Sequence, residues 1–81
     1  MDENGRIEKR IISHLFREKR ASKKVLLTAV RRNGASRATM QELNQRVEYL
    51  INQGAIVHHH NFGKSEIYIL SEEKRNELDD E

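Results

Sequence analysis

Arg37, Gln41 and Gln45 follow one another at i, i+4 and i+8, the spacing that lines side chains along one face of an α-helix. Each ends in a planar group with fixed hydrogen-bonding directions. A glutamine amide sets a donor beside an acceptor, the pattern complementary to the adenine edge. A guanidinium sets two donors side by side, complementary to the guanine edge, and each such bidentate pair discriminates by roughly 1 to 3 kcal/mol. Ala38 adds a methyl able to meet a thymine methyl, and Ser36 and Thr39 add hydroxyls suited to phosphate oxygens. Four cations, Lys23, Lys24, Arg31 and Arg32, stand just upstream. Charges of that kind hold phosphates without reading bases, and they supply most of the affinity of such contacts.

Other chemistry does not assemble. His58, His59 and His60 are consecutive, but strand side chains alternate faces, so only His58 and His60 could share an ion, with no third ligand fixed beside them. A polar strand accounts for them better. Ser13 and His14 are neighbours in sequence and therefore do not face each other on a helix. With no cysteine there is neither a thiolate nucleophile nor a disulfide. No phosphate-binding glycine loop and no zinc-hydrolase histidine spacing occurs, so no enzyme, metal, cofactor or small-molecule ligand is expected.

The chain has 81 residues, enough for one module with a modest core. Its net charge of +2 conceals a strong polarity. Residues 1–37 hold 11 Lys/Arg against 4 Asp/Glu, and residues 38–81 hold 4 against 9, balances of +7 and −5. A positive half of this kind suits a polyanion, although a solvated surface would read the same way. No apolar run approaches the roughly 20 residues needed to span a bilayer, so a soluble protein without membrane contact is expected, cytoplasmic or associated with the nucleoid.

Proline is absent, so caps and glycines must mark the element boundaries. Ile7, Ile11, Ile12, Leu15 and Phe16 give a first helix, from about Asn4, an apolar face broad enough to touch two elements; Arg6, Arg10, Ser13, Arg17 and Arg20 lie opposite. Ser22 is placed to cap a second helix that buries Val25, Leu26, Ala29 and Val30 and ends at Asn33 and Gly34. A third helix, capped by Ser36 and running to about Gln53, buries Met40, Leu43, Val47, Leu50 and Ile51, and Gly54 stops it. The period then becomes strand-like on either side of Asn61, Phe62 and Gly63. A three-residue loop there pairs Ile56 near Tyr68, His58 near Glu66 and His60 near Lys64, whereas a four-residue loop shifts every pair. One hairpin face covers the helices and the other is expected to meet the terminal segment or a second subunit. Ser71 caps an acidic segment over residues 72–81 in which Leu78 is the one strong hydrophobe.

Three helices followed by a hairpin, with a tight glycine turn between the second and third helices, is the layout of a winged helix-turn-helix domain. The run Gly34, Ala35, Ser36, Arg37, Ala38, Thr39, Met40 resembles that superfamily's turn and the opening of its recognition helix. Leu50, Ile51, Asn52, Gln53, Gly54, Ala55 and Ile56 resemble its entry into the wing, and Tyr68, Ile69, Leu70, Ser71 its exit. Val30 departs from the pattern, standing where many such sequences have a small residue. The expectation is a mainly α chain with a small β-hairpin, a winged helix-turn-helix domain over residues 1–71 and a short helical tail over 72–81.

The resemblance implies double-stranded DNA as partner, read in the major groove by the helix starting at Ser36, with Arg37, Ala38, Gln41 and Gln45 at the bases. Lys23, Lys24, Arg31, Arg32, Ser36 and Thr39 would sit at the phosphates. The hairpin tip, with Asn61, Phe62 and Lys64, would lie along the backbone or a minor groove. A transcriptional regulator acting as a homodimer on a roughly palindromic site follows, because one module buries only about 600 to 1,000 Å² against DNA. The alternative is a winged-helix protein-interaction module of a larger assembly, favoured by Glu42 and Glu48 on the third helix. RNA binding is weaker, since aromatics at 5% leave few stacking platforms.

Overall fold

The computed structural model describes residues 3–61 and 65–79, with side chains described from Gly5 to His59 and from Glu66 to Asp79. The elements run α1 (Glu3–Glu18), α2 (Lys23–Arg32), α3 (Met40–Asn52), β1 (Ile56–Asn61), β2 (Ser65–Leu70) and α4 (Glu72–Asp79). The order is compatible with a winged-helix topology. The tail is a regular helix, so the described residues hold four helices where three and a tail were expected. Among those residues, no helix is long and apolar enough to cross a membrane.

Each helix forms where its apolar period and its caps agree. α1 buries Ile7, Ile11 and Leu15 completely, the inner line of the expected face. Ile12 and Phe16, on the flank of that face, are partly buried and pack at the margin of the core, as does Leu78 of α4. Lys19, which has no glycine's freedom, nevertheless takes φ 74° and ends the helix, its N–H donating to the Leu15 carbonyl at 2.9 Å.

Ser22 caps α2 as expected, its hydroxyl accepting from the Val25 N–H at 3.4 Å. Leu26 and Val30 are buried, whereas Val25, expected in the core, is 46% exposed. Asn33 does not adopt the left-handed form; Gly34 does, with φ 118°, and the Ala35 N–H then closes back on the Val30 carbonyl. That reverse bond satisfies a carbonyl that the helix end leaves open.

The start of α3 differs from expectation. Residues Ala35 to Ala38 form a separate turn, with the Ala38 N–H donating to the Ala35 carbonyl at 3.0 Å, and both alanine methyls are buried. Thr39, not Ser36, is the cap. Its hydroxyl accepts from the Glu42 N–H at 3.1 Å while the Glu42 carboxylate accepts from the Thr39 N–H at 3.0 Å, a reciprocal box that a lone serine could not match. Leu43, Val47 and Leu50 are buried, whereas Ile51, expected beside them, is 36% exposed. Gly54, at φ 75°, lets the Ala55 N–H reach the Leu50 carbonyl at 2.9 Å and turns the chain into β1.

The strands pair antiparallel from Ile56↔Leu70 through His58↔Tyr68 and His60↔Glu66 to Asn61↔Ser65. This is two residues away from the expected register. A two-residue slip leaves every side chain on its original face, so Ile56, Tyr68 and Leu70 reach the core under either pairing. Ala21 extends the ladder, joined to Tyr68 as an isolated bridge on the far side of β2. The outer hairpin face leaves Val57 39% exposed. α4 turns to α1 instead of covering it: the Arg75 guanidinium lies 5.4 Å over the Phe16 ring and donates to the Leu15 carbonyl at 3.2 Å.

Candidate nucleic-acid interface

The outward side of α3 follows from which of its residues the core takes. With Leu43, Val47 and Leu50 turned inward, the 3.6-residue period carries Gln41, Gln45, Glu48 and Asn52 to the surface, all of them exposed. Arg37 no longer heads this stripe, since it lies in the turn before the helix; it is exposed there, beside Ser36. Gly34, Ser36, Arg37 and Glu42 line one hollow at the N-terminal end of α3, with the carboxylate of the capping box in its wall. Ala38, expected at a base, is 1% exposed and belongs to the core, so its methyl cannot reach a ligand. Thr39 is exposed, but its hydroxyl is engaged with Glu42 at both its donor and acceptor sides.

The four upstream cations separate into three settings. Lys23 turns toward α3 and the hairpin, its Nζ 5.8 Å from the centre of the Tyr68 ring. It shares a groove there with Asn44, Asn52 and His58. Arg31 reaches across the turn, where its Nε donates to the Ala38 carbonyl at 2.8 Å and so fixes the approach to α3. Lys24 and Arg32 turn the other way, into a groove between α1 and α2. Of the expected tip residues, Phe62 and Lys64 lie outside the described residues, as does the side chain of Asn61.

The groove between α3 and the hairpin is a feature that sequence reasoning did not assemble. Tyr68 supplies its floor, 3% exposed, with the His58 ring stacked on it at 4.9 Å and 18°. Burial, the neighbouring Glu66 charge and a 3.3 Å bond donated to Glu66 push the Tyr68 hydroxyl up to about 12. It therefore stays neutral and donating at physiological pH. The signal for this arrangement was the alternation of Ile56, His58, Glu66, Tyr68 and Leu70, but only the observed register sets His58 opposite Tyr68.

Electrostatically α3 is close to neutral on its outward side. Glu48 is exposed there, and Arg46, the one cation within the helix, is tied to Glu8 of α1 at 2.7 Å and packs 5.3 Å from the Tyr49 ring. Positive charge at this surface comes from Arg37, in the turn before α3, and from Lys23, in the groove alongside the helix from Asn44 to Asn52. Among the described residues no group of three or more His, Asp or Glu is arranged to hold a metal ion. Neither protein-family models nor curated proteins give a match to this sequence.

Proposed function

We propose that the chain is a small, sequence-specific double-stranded DNA-binding protein of the winged helix-turn-helix class, a transcriptional regulator that reads the major groove with α3. One observation carries the reading: Gln41 and Gln45 stand exposed one turn apart on α3, directly after a turn that exposes Ser36 and Arg37. An α-helix fits the major groove, and amides in its N-terminal half meet base edges when its end points into that groove. Arg37 then approaches from the turn, where it can reach a phosphate or a guanine. Lys23, alongside the helix, steadies it on the backbone. Two copies on neighbouring half-sites supply the contact area that one module lacks.

A second reading, as a protein-interaction module, is favoured by Tyr49 and Ile51 of α3, 43% and 36% exposed, near Glu48. A titration of the chain with random-sequence duplex at several salt concentrations separates the two. The DNA reading expects log affinity to fall linearly with log salt at a slope of about −0.9 per phosphate engaged. Absence of binding, or binding indifferent to salt, would assign the surface to a protein partner.

A further inference from the structure

The groove between α1 and α2 has no part in the proposed DNA surface. Val25, the most exposed of the large hydrophobic residues described, forms its floor with Ala29, and Lys24 and Arg32 stand at its rim. His14 forms a wall shared with an adjoining cleft that Arg10 and Arg17 line. Two cations thus flank the apolar strip, two more line the adjoining cleft, and no carboxylate lines either hollow. Among the described residues Arg10, Lys24 and Arg32 form no ion pair, and Arg17 has only a 3.8 Å contact with exposed Glu18. Apolar floor and cationic rim together suit an acidic protein segment better than a nucleic acid, which has no use for the exposed valine.

The chain carries such a segment on its other side. α4 exposes Glu72, Glu73, Glu77 and Asp79; of its two cations Arg75 is held on α1, and Lys74 lines a hollow with Glu73, Glu77 and, from α1, Glu8 and Ile12. At 100° per residue, Glu8 and Ile12 lie nearly opposite Arg10 and Arg17 on α1. The acidic helix of one molecule therefore cannot reach its own basic groove, whereas that of a neighbour can. Its eight residues span about 12 Å, shorter than the ten-residue α2 that walls the groove.

We infer that the α1–α2 groove docks the acidic α4 of a second copy, giving a heterologous, head-to-tail self-association. The contact leaves a free groove at one end and a free α4 at the other, so it propagates instead of closing as a two-fold dimer does. It does not depend on the DNA reading, and it can fail or hold independently of it. If both hold, neighbouring copies share one orientation and occupy half-sites arranged as direct repeats, in place of the palindrome expected from an isologous dimer.

Sedimentation of the nuclease-treated chain at about 20 mM and about 500 mM salt tests the contact, since the screening length falls from roughly 20 Å to about 4 Å across that range. Association should be concentration-dependent without a limiting stoichiometry at low salt and absent at high salt. Arg10→Glu with Arg32→Glu, and separately Glu73→Lys with Glu77→Lys, should each weaken it at least about tenfold by setting like charges against each other. An equimolar mixture of the two variants should associate again, which also shows that both are folded. A native chain that stays monomeric at low salt overturns the inference, as does a variant that still self-associates or a mixture that does not recover. Association that vanishes on nuclease treatment overturns it too and gives the groove to nucleic acid.

Discussion

Ala21 and Tyr68 exchange both of their main-chain hydrogen bonds, the Ala21 N–H donating to the Tyr68 carbonyl at 3.1 Å and the Tyr68 N–H to the Ala21 carbonyl at 2.8 Å. One residue of the α1–α2 connection thereby acts as a third strand. It fixes the hairpin to the helices at the edge where Lys23 and the groove beside α3 begin, so the placement of the candidate surface depends on this bridge.

Replacing Ala21 by proline removes the donor and leaves a buried carbonyl unpaired. The expected loss is about 1 to 3 kcal/mol. In a domain of this size each kcal/mol lowers the melting temperature by roughly 4 to 8 °C. Ala21→Gly keeps the N–H and should cost no more than about 1 kcal/mol. Thermal unfolding followed by circular dichroism compares them, and equal melting temperatures for the two variants would show that the bridge contributes nothing.

The two hydroxyls before α3 give a sharper local test. Thr39→Ala removes half of the reciprocal box with Glu42 and should cost roughly 0.5 to 2 kcal/mol. Ser36→Ala, at an exposed turn position, should stay within about 0.5 kcal/mol of the native chain. Denaturant midpoints measure both, and the reverse ranking would restore the earlier helix start.

These positions also show what the sequence could and could not disclose. Ser22, Gly34 and Gly54 work through local backbone chemistry, which residue type alone reveals. The box at Thr39 was equally readable, as a threonine three residues before a glutamate, but Ser36 offers a competing cap and only the burial of Ala35 and Ala38 as a separate turn decides between them. The hairpin register was not readable, because a two-residue slip preserves both faces. A one-residue strand at Ala21 has no alternation to detect. At the candidate site, helical phase sufficed to put Gln41 and Gln45 outside. The parting of Lys23 from Lys24 was not visible, since it depends on where α2 sits between α1 and the hairpin, and Lys19 turns the chain there without a glycine to mark it.

Tyr68 makes stability fall in alkali. Its pKa rises from 10.0 in the unfolded chain to about 12 in the folded one, so between those values the unfolded state has released a proton that the folded state still holds. Unfolding is then favoured as pH rises from about 10 to 12, by an amount on the order of 2 kcal/mol from this group. Tyr68→Phe removes the titrating proton. The difference in unfolding free energy between the native chain and the variant, measured by urea titration at pH 8 and pH 11, should shift toward the variant at the higher pH; a constant difference would show that the hydroxyl titrates alike in both states.

Gln41 offers the most direct test of what α3 does. Its amide is exposed and makes no hydrogen bond to another described side chain, so Gln41→Ala should leave the fold within about 0.5 kcal/mol of native. On a duplex selected for tight binding, a reading role predicts a loss of roughly 1 to 3 kcal/mol and relaxed preference at one base pair, with affinity for random duplex and the salt slope unchanged. Lys23→Ala should do the opposite, weakening all duplexes alike and reducing the slope by about one phosphate's worth. Competition binding against a set of single-base variants resolves the two patterns. If Gln41→Ala weakens every duplex equally, its amide contacts the backbone and base reading must lie elsewhere on α3; if neither variant changes binding, the outward side of α3 does not meet DNA.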